Sequence, residues 1–227
     1  MALKFNLIFA SIFFMALAHA GHPHGESSSD ASTYEAVTGD SIDDDRTLWD
    51  SFYKSKSNAF GNEAVSFLKD HLHEVKKGTA FVPAMGEGRN AIYLAKRGFQ
   101  VDGNDLSEVA VDRAIDEAKS QHVSIKGIVA DLLEYNYPEN HYDLVMVSLF
   151  YMADLVPKFR KTLKRGGYIM FYVKLDMGKP APGNNGPDDF LVKSNELKKA
   201  LKDFEIKIFK EYKDHGVDVI GVLARKP

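Results

Sequence analysis

The chain has 227 residues, of which 44% are hydrophobic and 27% charged, with a formal net charge of -3. This is the profile of a globular chain with one domain and a tail. The absence of cysteine excludes a disulfide scaffold, a thiolate zinc site, an iron–sulfur cluster and a cysteine nucleophile. Seven acids (Glu26, Asp30, Glu35, Asp40, Asp43, Asp44, Asp45) and no Lys or Arg lie between Gly21 and Asp45. That leaves residues 46–227 mildly basic, with no Lys/Arg run dense enough to argue for nucleic acid.

The first twenty residues read as an export signal. Lys4 is their only charge, Leu7 to Ala18 is apolar apart from Ser11, and Ala18-His19-Ala20 supplies small residues at a cleavage site. The apolar run is too short to span a bilayer, which takes ~20 residues. The expected organisation is a signal peptide over 1–20, an acidic disordered leader over 21–45 and one folded domain over 46–227.

Helices are expected over Arg46–Lys56 and Asn62–Val75. In the second, Ala64, Val65, Phe67, Leu68, Leu72 and Val75 recur at helical spacing. Thr79–Ala84 is a short apolar strand, followed by a glycine-rich turn and a helix through Ile92, Tyr93 and Leu94 that ends at Gly98. Phe99–Asn104 is the next strand. Ser107 caps a helix running to about Ser120. Strands follow at Val123–Val129 and Tyr142–Ser148, then a helix over Val156–Leu163, a turn at Arg165-Gly166-Gly167 and a strand at Tyr168–Val173. A helix over Ser194–Leu201 precedes two strands, Phe204–Tyr212 and Val217–Leu223, joined by Asp214-His215-Gly216 as a hairpin. The fold expected is α/β: a doubly wound, Rossmann-like, mostly parallel seven-stranded sheet with a C-terminal antiparallel hairpin.

In such sheets ligands bind beyond the carboxyl ends of the strands. After the first strand comes Gly86-Glu87-Gly88-Arg89-Asn90-Ala91, whose glycines let backbone approach a ligand and whose helix points its N-terminus at it. The same spacing fits a dinucleotide fingerprint. Asp105, after the second strand, is placed to accept the hydroxyls of a ribose; Asp131 and Leu132, after the third, suit an adenine. Either acid alone is also an ordinary cap or turn residue. Ser148-Leu149-Phe150-Tyr151 follows the fourth strand. His71 and His73, two apart on a helix, face different ways and argue against a metal pair.

GEGRNAIYLAKRGFQVDGNDLSEVAVDRA, with ADLLEY, YDLVMVS and LKRGGYIMF, resembles the class I S-adenosylmethionine-dependent methyltransferases. The flanks LWDSFYKSKSNAFGNEAVSFLKDHL and GNNGPDDFLVKSNELKKAL are similar to the small-molecule branch that contains the thiopurine and tellurite-resistance enzymes. The resemblance implies S-adenosylmethionine as cofactor, held by Trp49, Ala84, Met85, Gly86, Gly88, Asn90, Asp105, Leu106, Ser107, Asp131, Leu132 and Ser148. It implies that the leading helix, with Trp49, closes over the cofactor. Tyr53 and Tyr151 are expected as acceptor-pocket walls, and the loop 178–189 as a further selector. The chain departs from the family at Val82, where an acid is usual, and at Ala84, where glycine is usual.

The implied activity is in-line methyl transfer to a small molecule, such as a thiol or a chalcogen oxyanion, by a monomer without a metal. No constellation of residues demands a catalytic base. Two other functions compete: an exported, non-enzymatic nucleoside-binding protein and an NAD-dependent oxidoreductase. Replacing Asp105 by Ala is expected to weaken cofactor binding and, for a residue on a loop rim, to spare the fold. The signal implies a periplasmic or secreted mature protein without stable membrane insertion, in tension with a cofactor made in the cytoplasm. N-terminal sequencing of protein from fractionated cells is expected to start at Gly21; a cytoplasmic chain retaining Met1 would overturn this.

Overall fold

A computed structural model describes residues 42–177 and 190–227. The expected signal (1–20), the leader up to residue 41 and the loop 178–189 lie outside the described residues. The elements run α1 (Ile42–Ser55), α2 (Ser66–His71), β1 (Thr79–Val82), α3 (Arg89–Lys96), β2 (Gln100–Asp105), α4 (Glu108–Ser120), β3 (Lys126–Val129), β4 (Tyr142–Ser148), α5 (Leu155–Thr162), β5 (Leu163–Leu175), β6 (Leu191–Val192), α6 (Ser194–Ala200), β7 (Glu205–Asp214) and β8 (Val217–Arg225).

The strands form one sheet in the order β3-β2-β1-β4-β5-β8-β7. The first five strands are parallel; β8 joins β5 and β7 antiparallel. This is the doubly wound architecture read from the sequence, with one addition: the two-residue β6 pairs with Lys174 and Leu175 at the end of β5. Two residues are too few to carry a periodicity, so β6 had no sequence signal.

Alternation along the central strands explains why both faces are covered. Ala80, Val82, Leu144, Met146 and Met170 point to one face, against Phe67, Leu68, Leu94 and Ala114 of α2, α3 and α4. Phe81, Val145, Val147, Ile169 and Phe171 point to the other, against Phe159 and Leu197 of α5 and α6. A strand buried on both faces has no polar side to show, hence the continuous apolar runs. Each fully buried Leu, Val or Phe contributes about 1.5–3 kcal/mol. Gly221 on β8 lies where a Cβ would stand 2.3 Å from the Phe67 ring, so α2 seats its aromatic on bare backbone.

Several boundaries differ from the sequence reading: β1 ends at Val82, β3 begins at Lys126 and β7 runs to Asp214, and three other differences have a clear physical reason. Helix α1 starts at Ile42, four residues before Arg46, taking its first turn from the acidic leader; acids suit the positive end of a helix dipole. Helix α2 is shorter than expected, continuing as a 3-10 turn at Leu72–Glu74. The Arg165–Gly167 turn is absorbed into β5, whose register against β4 shifts there, with Gly166 at φ 79°. Among the described residues no helix is long and apolar enough to cross a membrane.

Candidate functional site

The loops that matter emerge together at the carboxyl ends of β1, β2, β3 and β4. The turn after β1 is built on left-handed backbone: Ala84 at φ 46°, Gly86 at 56° and Gly88 at 84°. Gly88 N–H donates to the Met85 carbonyl and the Gly88 carbonyl receives Ile92 N–H, so α3 starts directly behind the turn. Neither glycine tolerates a side chain. A Cβ on Gly86 would stand 2.8 Å from the Tyr53 phenol oxygen, and one on Gly88 2.7 Å from Ala114 Cβ. The cradle is thus bare backbone by necessity, as a closely bound ligand requires.

Among the described residues, six other than glycine have positive φ: Asn58, Ala84, His122, Asn140, Leu149 and His215. Asn and His visit this region readily. Ala84 and Leu149 do not, and they stand just beyond the paired strands β1 and β4. Strain held at two adjacent strand ends, on the rim where ligands bind, marks this rim as functional.

Asp105 is the last residue of β2 and is 7% exposed. Its Oδ2 accepts Gly86 N–H at 2.8 Å and its Oδ1 accepts Ser107 N–H at 3.0 Å. Each oxygen keeps a second lone pair for a ribose hydroxyl. Burial pushes its pKa up to about 6, against the N–H donors of Ser107, Gly86 and Leu106, which lower it; the Asp50 charge adds to the rise. The carboxylate therefore sets the shape of the glycine turn, which the loop-rim expectation missed.

Helix α1 is docked on this rim. Asp50 Oδ1 accepts the Ser107 hydroxyl at 2.6 Å and Val109 N–H at 3.3 Å, while Ser107 Oγ accepts Ala110 N–H as the cap of α4. Arg113 of α4 donates to the Tyr53 carbonyl and pairs with Glu87 at 3.0 Å. Tyr53, 3% exposed, lies over Gly86, and half-buried Trp49 packs on Phe52 and Tyr53. Burial, with the Asp105 and Glu87 charges, holds the Tyr53 phenol far above its ordinary pKa, so it stays a neutral hydrogen-bonding group.

The other expected cofactor residues divide. Asp131 is half-buried and one oxygen closes its own turn on Leu133 N–H, leaving the other for a ligand; Leu132 is buried beside it. Leu106, half-buried, follows Asp105 on the rim. The Met85 side chain turns away into the core over Gly103 and offers the rim only backbone. Asn90, 2% exposed, spends its amide on Val65 N–H and the Ser148 hydroxyl, so it bridges β4 to α2 rather than facing a ligand. Val82 is buried in the core, where a carboxylate would lack a partner.

A cavity of about 630 Å³ opens past β4, β5 and β8, with Phe60, Val65, Arg89, Leu149, Tyr172 and Asp214 in its wall. Neither Tyr53 nor Tyr151, expected as pocket walls, lines it. Tyr53 belongs to the glycine turn, and Tyr151 packs against Phe171 on the opposite face of the sheet. The aromatic side chains in the wall are instead Phe60 and Tyr172. Alternation in β5 was a usable signal for Tyr172, since a polar-tipped aromatic at a core position needs a partner; its hydroxyl donates to Asp214 at 2.9 Å. Among the described residues no cluster of three or more side chains suits a metal.

Comparison with known proteins bears on the fold that carries this site. Residues 83–167 match the family model of a methyltransferase domain. A probable S-adenosyl-L-methionine-dependent methyltransferase, TehB of Haemophilus influenzae, is 28% identical over 138 residues, 57% of this chain and 46% of the relative. The chain thus spans about half the length of the curated relative it matches. The crystal structure of TehB from Haemophilus influenzae superposes with a TM-score of 0.64 at 20% identity, covering 79% of this chain and 67% of that one. A geranyl diphosphate C-methyltransferase from Streptomyces coelicolor superposes at 0.60 and 15% identity, covering 71% and 78%. At these identities the superpositions establish the fold: a Rossmann-like methyltransferase sheet.

Two outcomes follow for the rim. Because the folded pKa of Asp105 (about 6) lies above the ordinary carboxylate value of 3.8, stability from its protonated form is lost as pH rises through about 6. Ribose acceptance needs the ionised form, so affinity for adenosylhomocysteine is expected to fall as pH drops through that value. Asp105→Ala is expected to abolish this dependence, weaken binding roughly ten- to a hundredfold and lower the melting temperature, since two buried N–H donors lose their acceptor. Calorimetry on either side of that pH, with thermal melts, reads all three. Separately, left-handed backbone costs an L-residue roughly 1–2 kcal/mol, so Ala84→Gly is expected to raise stability by up to about 1 kcal/mol after the added freedom of the unfolded chain. A lower melting temperature for Ala84→Gly would show that the turn is unstrained.

Proposed function

We propose that this chain, which carries a class I S-adenosylmethionine-dependent methyltransferase domain, methylates a small molecule held in the cavity beyond β4, β5 and β8. One observation carries the reading: Arg89, the residue directly after the glycine cradle, lines a separate cavity of about 630 Å³, and small-molecule sites commonly measure ~300–1,000 Å³. The resemblance of the flanking segments to the thiopurine and tellurite-resistance branch supports a thiol or a chalcogen oxyanion as acceptor.

The residues present suit S-adenosylmethionine. Asp105 would hold the ribose, Asp131 and Leu132 the adenine, and the Gly86–Gly88 backbone the methionyl end. When bound, the cofactor supplies a methyl group already activated on a sulfonium. What remains for the protein is alignment and dryness, and holding two reactants in line supplies up to about 7–11 kcal/mol. Docked α1 contributes the dryness: Trp49 and Tyr53 cover the turn, and the neutral Tyr53 phenol adds no charge beside a cation. Tyr faces accommodate sulfonium-like cations. An acceptor that arrives as an anion needs no base.

The glycine spacing also suits a nicotinamide, but the methyltransferase-domain match over 83–167 favours the methylated-acceptor reading. Calorimetry is expected to show adenosylmethionine and adenosylhomocysteine binding, no quenching of NADH fluorescence, and methyl transfer to at least one member of a panel of thiols, selenite and tellurite. Cofactor binding without turnover on the whole panel would instead support a non-enzymatic binding protein. No heat with either nucleoside would end the reading.

A further inference from the structure

Arg89 opens α3 immediately behind the glycine turn and lines the cavity. Its guanidinium is largely withdrawn from water, and burial lowers its pKa. It donates from Nη1 to the Phe60 carbonyl, and among the described residues it makes no ion pair with a carboxylate. Its neighbours in the wall are differently placed. Lys69 pairs with Glu63 at 3.5 Å. Asp214 accepts the Ser66 hydroxyl at 2.6 Å and the Tyr172 phenol at 2.9 Å, with His215 Nε2 at 3.6 Å. Asp214 is thus compensated by donors of its own, while Arg89 is a half-buried cation whose hydrogen bond goes to a neutral carbonyl.

A guanidinium has five N–H donors in a rigid fork, of which the Phe60 carbonyl uses one. Such a group is satisfied by a ligand that brings a planar anion. The ligand's other half is indicated by the wall: Ala59, Phe60, Ala64, Val65, Leu149 and Val219 are apolar. A bare inorganic oxyanion would leave that surface uncovered. Gly86, Asp105, Asp131 and Ser148, the cofactor rim, are absent from this wall, so the cavity belongs to the acceptor side.

We propose that Arg89 anchors the methyl acceptor, and that the acceptor is a small organic anion: an apolar body, seated against Phe60 and Leu149, with a carboxylate or similar group on the guanidinium. This rests on the methyl-transfer reading for the word acceptor, but the anion site itself is testable without cofactor. The probe is para-mercaptobenzoate, compared with its neutral amide and with selenite, titrated by calorimetry into the wild type, Arg89→Gln and Arg89→Lys, with thermal melts as a check on folding.

The wild type is expected to bind the carboxylate about tenfold or more tightly than the amide, the worth of one charged hydrogen-bond pair, and more tightly than selenite. Arg89→Gln is expected to erase the preference, and Arg89→Lys, which keeps the charge and a donor for Phe60, to retain part of it. Adenosylhomocysteine affinity is expected to be unchanged in both variants. Equal binding of acid and amide by the wild type overturns the proposal, as does a preference that survives Arg89→Gln. Selenite binding as tight as the carboxylate removes the apolar half of the assignment. A matching loss of adenosylhomocysteine affinity in Arg89→Gln places the guanidinium on the methionyl carboxylate and also overturns it. A carboxylate preference without methyl transfer leaves the anion site standing and defeats only the enzymatic reading.

Discussion

The Asp105 carboxylate joins three elements that sequence keeps apart. It holds Gly86 N–H on the turn after β1 and Ser107 N–H ahead of α4, while Ser107 passes the connection on to Asp50 of α1. The glycine turn, the cap of α4 and the docking of the leading helix therefore share one buried negative charge. Its cost appears in the raised pKa, and it is met by backbone N–H groups rather than by a cation. A fixed carboxylate ringed by amide donors, with lone pairs still open, is suited to orienting hydroxyls without closing on a salt bridge.

The two departures from the family pattern have different physical meanings. Val82 is part of the core between the sheet and α3, so an apolar residue there supports packing. Ala84 bears left-handed backbone that glycine would adopt without strain. Leu149 repeats this at the end of the adjacent strand. Both are held in place by the sheet beneath them, and Leu149 N–H is tied to the Tyr172 carbonyl at 2.8 Å. A rigid sheet with strained exits presents loops in one conformation, and that is how this architecture positions ligands.

Charge around the cavity is distributed in the same economical manner. Asp214 sits where β7 turns toward β8 and draws its donors from α2 and β5, locking the hairpin onto the sheet. Arg89, half-buried in the same wall, donates to the Phe60 carbonyl instead.

Much of this was legible in the chain itself. Apolar runs bounded by glycine and Lys/Arg specified the alternating strands and helices, because periodicity and capping are local physics. Ser107 as a cap and Gly86, Gly88 and Asp105 as rim residues were readable for the same reason: each is defined by its position at the end of an element. The start of α1 was not, since an acidic stretch is equally a solvated leader or a favourable first helical turn. Nor was the fate of Asn90 and Tyr151. A one-residue step along a strand or helix exchanges one face for another, and only the packed sheet decides which. So the sequence by itself determined the architecture, the glycine cradle and its acid. The tertiary structure alone decided the cavity wall: Phe60, Arg89, Leu149, Tyr172 and Asp214 come from separate segments, and contacts between them depend on strand order and crossover, which no local pattern records.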